Sequence, residues 1–288
     1  MHEGLKDAIR QLAQKRVDPA GKEYMCLDLA ETIALAERFQ CPRRTVELAA
    51  LEQRIIPERY QRNIGTVGID GQMRLLRSKV GVVGAGGLGG LAIELLARMG
   101  IGSLVVIDSD SFTASNLNRQ LLSLEGGLGA GKAETAARRV KEINGAVEIL
   151  PLQQQADASN LVASLAGCDL ALDCLDNLAT RFALEEACGR LAIPLVHGAI
   201  AGFMGQLAVI EPGRPLFAKI YGAPPAGTGN VGRGVETVLG NPATTPAMLA
   251  AWQVNEAVKI LAGLESGLKD KLLIIDMLSG ECTTVPFA

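Results

Sequence analysis

Hydrophobic positions along the chain change their period near residue 79. Before it, Leu5, Ile9 and Leu12 recur at helical spacing, as do Leu29, Ile33, Leu35 and Ala36. That spacing gathers apolar side chains on one helix face. Residues 1–57 therefore read as a small helical segment, with Pro42 inside it and Pro57 at its end. The stretch LAERFQCPRRTVELAALE carries two short helical patterns about a break, the outline of a helix-turn-helix. Its basic residues are sparse and no repeat accompanies it, so nucleic acid is not an expected partner.

From Lys79 onward, short apolar runs alternate with helical patterns. KVGVVG reads as a buried strand, followed by a glycine turn and a helix from Leu88 to Met99. SLVVID is a second strand, Ala130 to Asn144 an amphipathic helix, and VEILPL a third strand. DLALDC is a fourth, followed by a helix from Leu178 to Leu191 and the strands PLVHGA and MGQLAVIE. Residues 211–246 are rich in Gly and Pro with little periodicity, the mark of a functional or mobile loop. A helix from Pro246 to Ala262 and the strands LLIID and CTTVP follow. The apolar face of that helix is expected in the core or a dimer interface rather than in a partner groove. The alternation predicts an α/β chain: a Rossmann-like, doubly wound, mostly parallel sheet over residues 58–288, preceded by the N-terminal helical segment.

Composition narrows the setting. The 288 residues are 48% hydrophobic, enough for one large α/β domain, or one domain with a small appendage. The net charge of -3, with both signs mixed, gives nucleic acid no electrostatic foothold. None of the six cysteines forms a C-x-x-C pair, and the first residues contain no apolar signal segment. No apolar run reaches the roughly 18 residues of a membrane span. The expectation is a soluble cytoplasmic protein with reduced thiols and no membrane partner.

The chemistry concentrates after the predicted strands. Gly84, Gly86, Gly87 and Gly89 form G-x-G-x-x-G between a strand and a helix, where backbone N–H groups can meet phosphate. Asp108 ends the second strand, where a carboxylate can accept ribose hydroxyls. Asp110, Asn116 and Arg119 follow it, and a guanidinium forks onto phosphate oxygens. Asn116 can donate to a leaving oxygen or hold the loop. Lys132 follows a glycine-rich turn and can reach the same phosphates. Asp176, just past the fourth strand, can hold Mg²⁺ against them. A nicotinamide dehydrogenase would need an acid or base at a hydride site. The only histidines, His2 and His197, show no convincing partner, and His197 reads as a strand residue with a satisfied hydrogen bond.

As a set these residues resemble the MoeB/ThiF/HesA family, bacterial relatives of ubiquitin-activating enzymes. The matching motifs are RYQRN (59–63), GAGGLG (84–89), DSDSFTASNLNRQ (108–120), GAGK (129–132), INGAVEI (143–149) and DCLDN (173–177). The resemblance implies ATP-dependent, Mg²⁺-assisted adenylation of the C-terminal glycine of a small ubiquitin-like sulfur carrier, in molybdopterin- or thiamine-type sulfur transfer. It implies that Asp108 holds the ribose and that Asn116, Arg119 and Lys132 contact the phosphates. Asp176 then serves the metal, and Asp110 and Gln120 join the nucleotide-binding set. Arg62 resembles the arginine that family dimers insert into the neighbouring subunit's site, which makes a homodimer part of the active site. The carrier's Gly-Gly tail is expected to reach the nucleotide past the sheet face and the 211–246 loop.

The chain also departs from the family. Many members bind a structural zinc through two C-x-x-C pairs; here there are none, so no zinc is expected. Residues 211–246 hold no cysteine for thioester or persulfide chemistry. Cys168, Cys174 and Cys188 fall on core elements and are expected to be inert. No rhodanese-like domain is expected after the adenylation domain, since the sequence ends at Ala288, and the chain reads as adenylating only. Other readings are adenylation of a small-molecule or tRNA-linked carboxylate, an NAD-dependent Rossmann oxidoreductase, and a regulatory nucleotide-binding protein.

Overall fold

The structure is a computed structural model that describes residues 2–223 and 236–287. In chain order the N-terminal part runs α1 (His2–Leu12), β1 (Gln14–Val17), β2 (Glu23–Leu27), α2 (Leu29–Arg38), α3 (Arg43–Glu52) and β3 (Ile55–Pro57). The remainder opens with α4 (Gln61–Arg77), β4 (Lys79–Val83), α5 (Gly87–Met99), β5 (Ser103–Ile107), α6 (Lys132–Ile143) and β6 (Glu148–Leu152). It continues with α7 (Leu161–Ser164), β7 (Leu170–Asp173), α8 (Leu178–Leu191), β8 (Leu195–Ala201) and β9 (Met204–Ile210). It closes with α9 (Phe217–Tyr221), α10 (Glu236–Leu239), α11 (Thr244–Ala262), β10 (Lys271–Asp276) and β11 (Glu281–Pro286).

Among the described residues, eight strands form the main sheet in the order β11-β10-β9-β8-β7-β4-β5-β6. Strands β6, β5, β4, β7 and β8 run parallel, while β9, β10 and β11 add on antiparallel. The parallel strands are the apolar runs of the sequence. Val80, Val82, Val83, Leu104, Val105, Val106, Leu170, Ala171 and Leu172 are all fully buried, as strands covered on both faces require. One core, with Ile93, Leu96, Ala136, Val140, Leu249 and Val254, packs α5, α6 and α11 on one face. The other, with Leu161, Leu184, Cys188 and Phe217, packs α7, α8 and α9 on the opposite face. The apolar face of α11 is therefore core, although Trp252 stays partly exposed.

The N-terminal segment corrects the all-helical expectation. Helices α1, α2 and α3 form, but β1, β2 and β3 build a three-stranded sheet beside them. β1 pairs antiparallel and β3 parallel with β2. Periodicity did not find β1 because its sequence, QKRV, is largely exposed and has no apolar side to alternate. This segment has a core of its own around Leu5, Ile9, Leu27, Leu35, Val46, Ala50 and Ile55. Helices α2 and α3 do flank a break at residues 39–42, yet the arginine-rich start of α3 turns inward. Arg44 donates to Gly102 O at 2.7 Å and pairs with Glu148 at 3.0 Å. Deeper in the same interface, the Tyr60 hydroxyl donates to Glu47 at 3.0 Å and accepts from Asn144 at 3.0 Å.

The 211–246 stretch is not wholly irregular. It contains α9, α10 and the start of α11, while its residues 224–235 lie outside the described residues. No helix among the described residues is long and apolar enough to cross a membrane.

Candidate functional site

The carboxyl ends of β4, β5 and β7 gather most of the residues singled out above. Gly84 leaves β4 with φ +95°, and a Cβ there would stand 2.5 Å from Cys174 O. A Cβ on Gly89 would stand 1.8 Å from Gly84 O. Both glycines are needed for α5 to sit this close to the strand, with the open N–H groups of its first turn at the sheet edge. Asp108 holds this turn in place: Oδ2 accepts from Ala85 N–H at 2.7 Å and Oδ1 from Asp110 N–H at 2.8 Å. Burial pushes the Asp108 carboxyl up, against the pull of those two hydrogen bonds. Each of its oxygens keeps a lone pair for a further donor.

The cations lie beside the turn. Lys132, the first residue of α6, pairs through Nζ with Asp110 Oδ2 at 2.9 Å, and its N–H donates to Asp110 O at 2.9 Å. The Lys132 side chain is only 7% exposed and that of Asp110 is 66% exposed, so water and solutes reach the pair from the Asp110 side. Asn116 is buried, and its Oδ1 accepts from Thr113 N–H at 3.0 Å, which holds the loop. Arg119 Nη1 donates to Ser115 O at 3.0 Å and to Asn118 Oδ1 at 2.9 Å. Its Cγ lies 3.7 Å from where a Gly87 Cβ would be, alongside the first turn of α5. No carboxylate pairs with it among the described residues. Gln120 is buried beside Gly86, with Oε1 lacking a hydrogen-bond partner among the described residues.

Asp176 is exposed just beyond β7, in the segment whose Cys174 packs against the glycine turn. No group of three or more His, Cys, Asp or Glu side chains among the described residues could hold a metal ion. A lone carboxylate of this kind fits a hard cation whose other ligands are phosphate and water, which is the habit of Mg²⁺. Arg62 stands apart. It is exposed on the first turn of α4, and no hydrogen bond or ion pair joins it to these groups among the described residues.

Beneath Asp176 lies a polar network that sequence reasoning missed. Asp173 is fully buried, with His197 Nδ1 2.7 Å and Arg181 Nε 3.3 Å from Oδ2. His197 Nε2 lies 2.8 Å from the Tyr221 hydroxyl, and Arg181 Nη2 donates to Leu175 O at 2.6 Å. Gln253 of α11 donates to Asp173 O at 2.8 Å and Val196 O at 3.2 Å. It fills the room left at Gly198, where a Cβ would stand 2.5 Å from its amide carbon. Burial pushes the His197 imidazole below its ordinary range. His197 thus has the satisfied hydrogen bonds expected of it, but its partners, separated in sequence, could not be named from the pattern; His2 has no described side chain. The buried thiols are held protonated: burial pushes Cys168 up to about 11, Cys188 up to about 12, and Cys174 well up.

The chain resembles known proteins in sequence and fold. The ThiF family profile matches residues 60–288. A Haloferax volcanii protein named SAMP-activating enzyme E1 is 40% identical over 80% of this chain and 85% of its own length. A Drosophila yakuba protein named adenylyltransferase and sulfurtransferase MOCS3 is 36% identical over 94% of this chain. The alignment spans 61% of that longer protein. The crystal structure of E. coli MccB with AMPCPP and MccA superimposes with a TM-score of 0.66 over 96% of each chain at 19% identity, a likeness of fold. With its profile match over most of the length and its glycine turn, acids and cations at one sheet edge, the chain belongs to the ThiF family.

Proposed function

We propose that this chain is an ATP-dependent adenylyltransferase that activates the C-terminal glycine carboxylate of a ubiquitin-like sulfur carrier. One observation carries the reading: the glycine turn, Arg119 with no carboxylate partner among the described residues, and the shielded Lys132 share one sheet edge with Asp108 and Asp176. The name and 40% identity of the archaeal relative support a ubiquitin-like protein as the partner.

In this reading the α5 N–H groups and Arg119 meet the phosphates, and Asp108 receives ribose hydroxyls on its remaining lone pairs. Lys132 exchanges Asp110 for phosphate oxygen. The carrier's carboxylate oxygen forms a bond to the α-phosphorus while the bond to the bridging oxygen breaks and pyrophosphate leaves. Two anions approach each other, so positioned positive charge lowers the barrier, and no protein nucleophile is needed. Mg²⁺, when bound, adds positive charge at the departing phosphates, and Asp176 would hold it. Asn116 and Gln120 shape the loop wall. Arg62 serves the site of a second copy, so the working unit is a homodimer. Within each chain, residues 1–57 are an N-terminal segment and residues 58–288 the ATP-binding adenylyltransferase domain.

ATP–pyrophosphate exchange with Mg²⁺ and candidate carriers ending in Gly-Gly tests this reading. Carrier-dependent exchange, lost in Asp176→Ala, supports it. ATP binding without exchange by any carrier would instead favour a small-molecule or tRNA-linked carboxylate. NADH binding in place of ATP would overturn it.

A further inference from the structure

Helix α4 carries Arg62 on its first turn, yet it is not one straight helix. At Gly68 the backbone takes φ 71° and ψ 172°, far from helical values. Side-chain-bearing residues avoid this region, while glycine enters it freely. A Cβ built on Gly68 would meet no atom within 4 Å, so the glycine is there for its backbone conformation and not for room. Residues 61–67 therefore form an arm set off from 69–77, and of that arm only Val67 is buried in the core.

A hydrogen bond fixes the angle of the arm. Asn63 Nδ2 donates to Gln72 Oε1 at 3.0 Å across nine residues. In an unbroken helix nine residues rise about 13.5 Å, beyond the reach of these side chains. The bond exists because the helix folds back at Gly68. Gln72 is itself immobilised: it is fully buried, and its Nε2 donates to Met99 O at 2.9 Å. Met99 ends α5, whose first turn is the glycine turn. The arm's direction is thus referenced to the same helix that would meet phosphate.

We infer that Gly68, Asn63 and Gln72 are positioning residues that aim the arm bearing Arg62 toward the nucleotide of a second copy. The inference rests on the reading of Arg62 given above. It adds what sets the arginine's direction: a glycine bend and an amide staple, neither of which touches substrate.

Calorimetric titration with the non-hydrolysable analogue AMPPCP and Mg²⁺ tests it without need of any carrier. Arg62→Ala is expected to weaken binding about tenfold, the loss of one charge-assisted hydrogen bond. Asn63→Ala and Gly68→Ala are expected to weaken it by several-fold. The double variant Arg62→Ala/Asn63→Ala should bind no more weakly than Arg62→Ala alone, because a staple has nothing to aim once the arginine is gone. Melting curves show whether each variant is folded, and if Gly68→Ala is not, Asn63→Ala decides. Normal binding by Asn63→Ala beside a weakened Arg62→Ala would overturn the inference. So would additive losses in the double variant, which a merely structural role predicts. Normal binding by Arg62→Ala would overturn the reading of Arg62 itself, and the inference with it, while leaving adenylation to the exchange assay.

Discussion

Lys132 and Asp110 show how one side chain can be held ready for another partner. A buried ammonium needs a counter-anion, and here the anion sits on the exposed side, where phosphate can replace it. Arg119→Ala and Lys132→Ala are each expected to lower carrier-dependent exchange about 100-fold, with the circular dichroism spectrum unchanged. Glu47 is a residue of a different kind. Burial raises its carboxyl from 4.5 to about 7, against Arg59, Arg43 and the hydrogen bond from Tyr60. Between those two values the native state keeps a proton that the unfolded chain has released. Stability therefore falls as pH rises through that window, by up to about 3 kcal/mol, and levels off above it. Urea midpoints across the window should show this slope in the wild type and a flatter one in Glu47→Gln. Residues such as Gly84, Asp108 and Arg119 were legible because one contiguous motif carries each of them. Asp173, His197 and Tyr221 were not, since β7, β8 and α9 bring them together only after folding.

At the scale of elements, the glycine turn is among the tightest contacts of the described residues that a single atom can test. Gly89→Ala would drive a methyl group into Gly84 O, and backbone cannot step aside as a flexible side chain does. The expected loss is about 2 kcal/mol or more of stability, together with ATP-induced thermal protection, read by melting with and without ATP. The parallel strands were legible because burial on both faces makes them continuous apolar runs, as in Val80–Val83 and Leu104–Ile107. The N-terminal strands were not: β1 is held by ladder hydrogen bonds and carries almost no hydrophobic signal. β11, read in the sequence as the strand CTTVP, is exposed along its whole length. The bend in α4 was hidden for a related reason, because a glycine in a helical pattern does not announce its φ.

At the scale of the whole molecule, the proposed homodimer would draw residues of two copies into each site. Arg62→Ala and Asp176→Ala should each be inactive alone, and mixing them should restore up to about a quarter of wild-type exchange, since one hybrid site in a mixed dimer escapes both changes. Verified mixed dimers without recovery would show that each site is complete within one chain. The hydrogen bonds of Gln253 to Asp173 O and Val196 O have a different consequence, for the order in which the chain becomes native. A ribosome releases β7 and β8 well before α11. Until that helix emerges, these two carbonyls at the centre of the sheet lack the additional donor that Gln253 brings, and the face of β8 that α11 covers stays open to water. The nascent chain must hold its central strands in a hydrated, provisional state and dry them in a late step, when α11 docks. Replacing Gln253 should therefore slow the final phase of refolding more than it alters the collapse that precedes it.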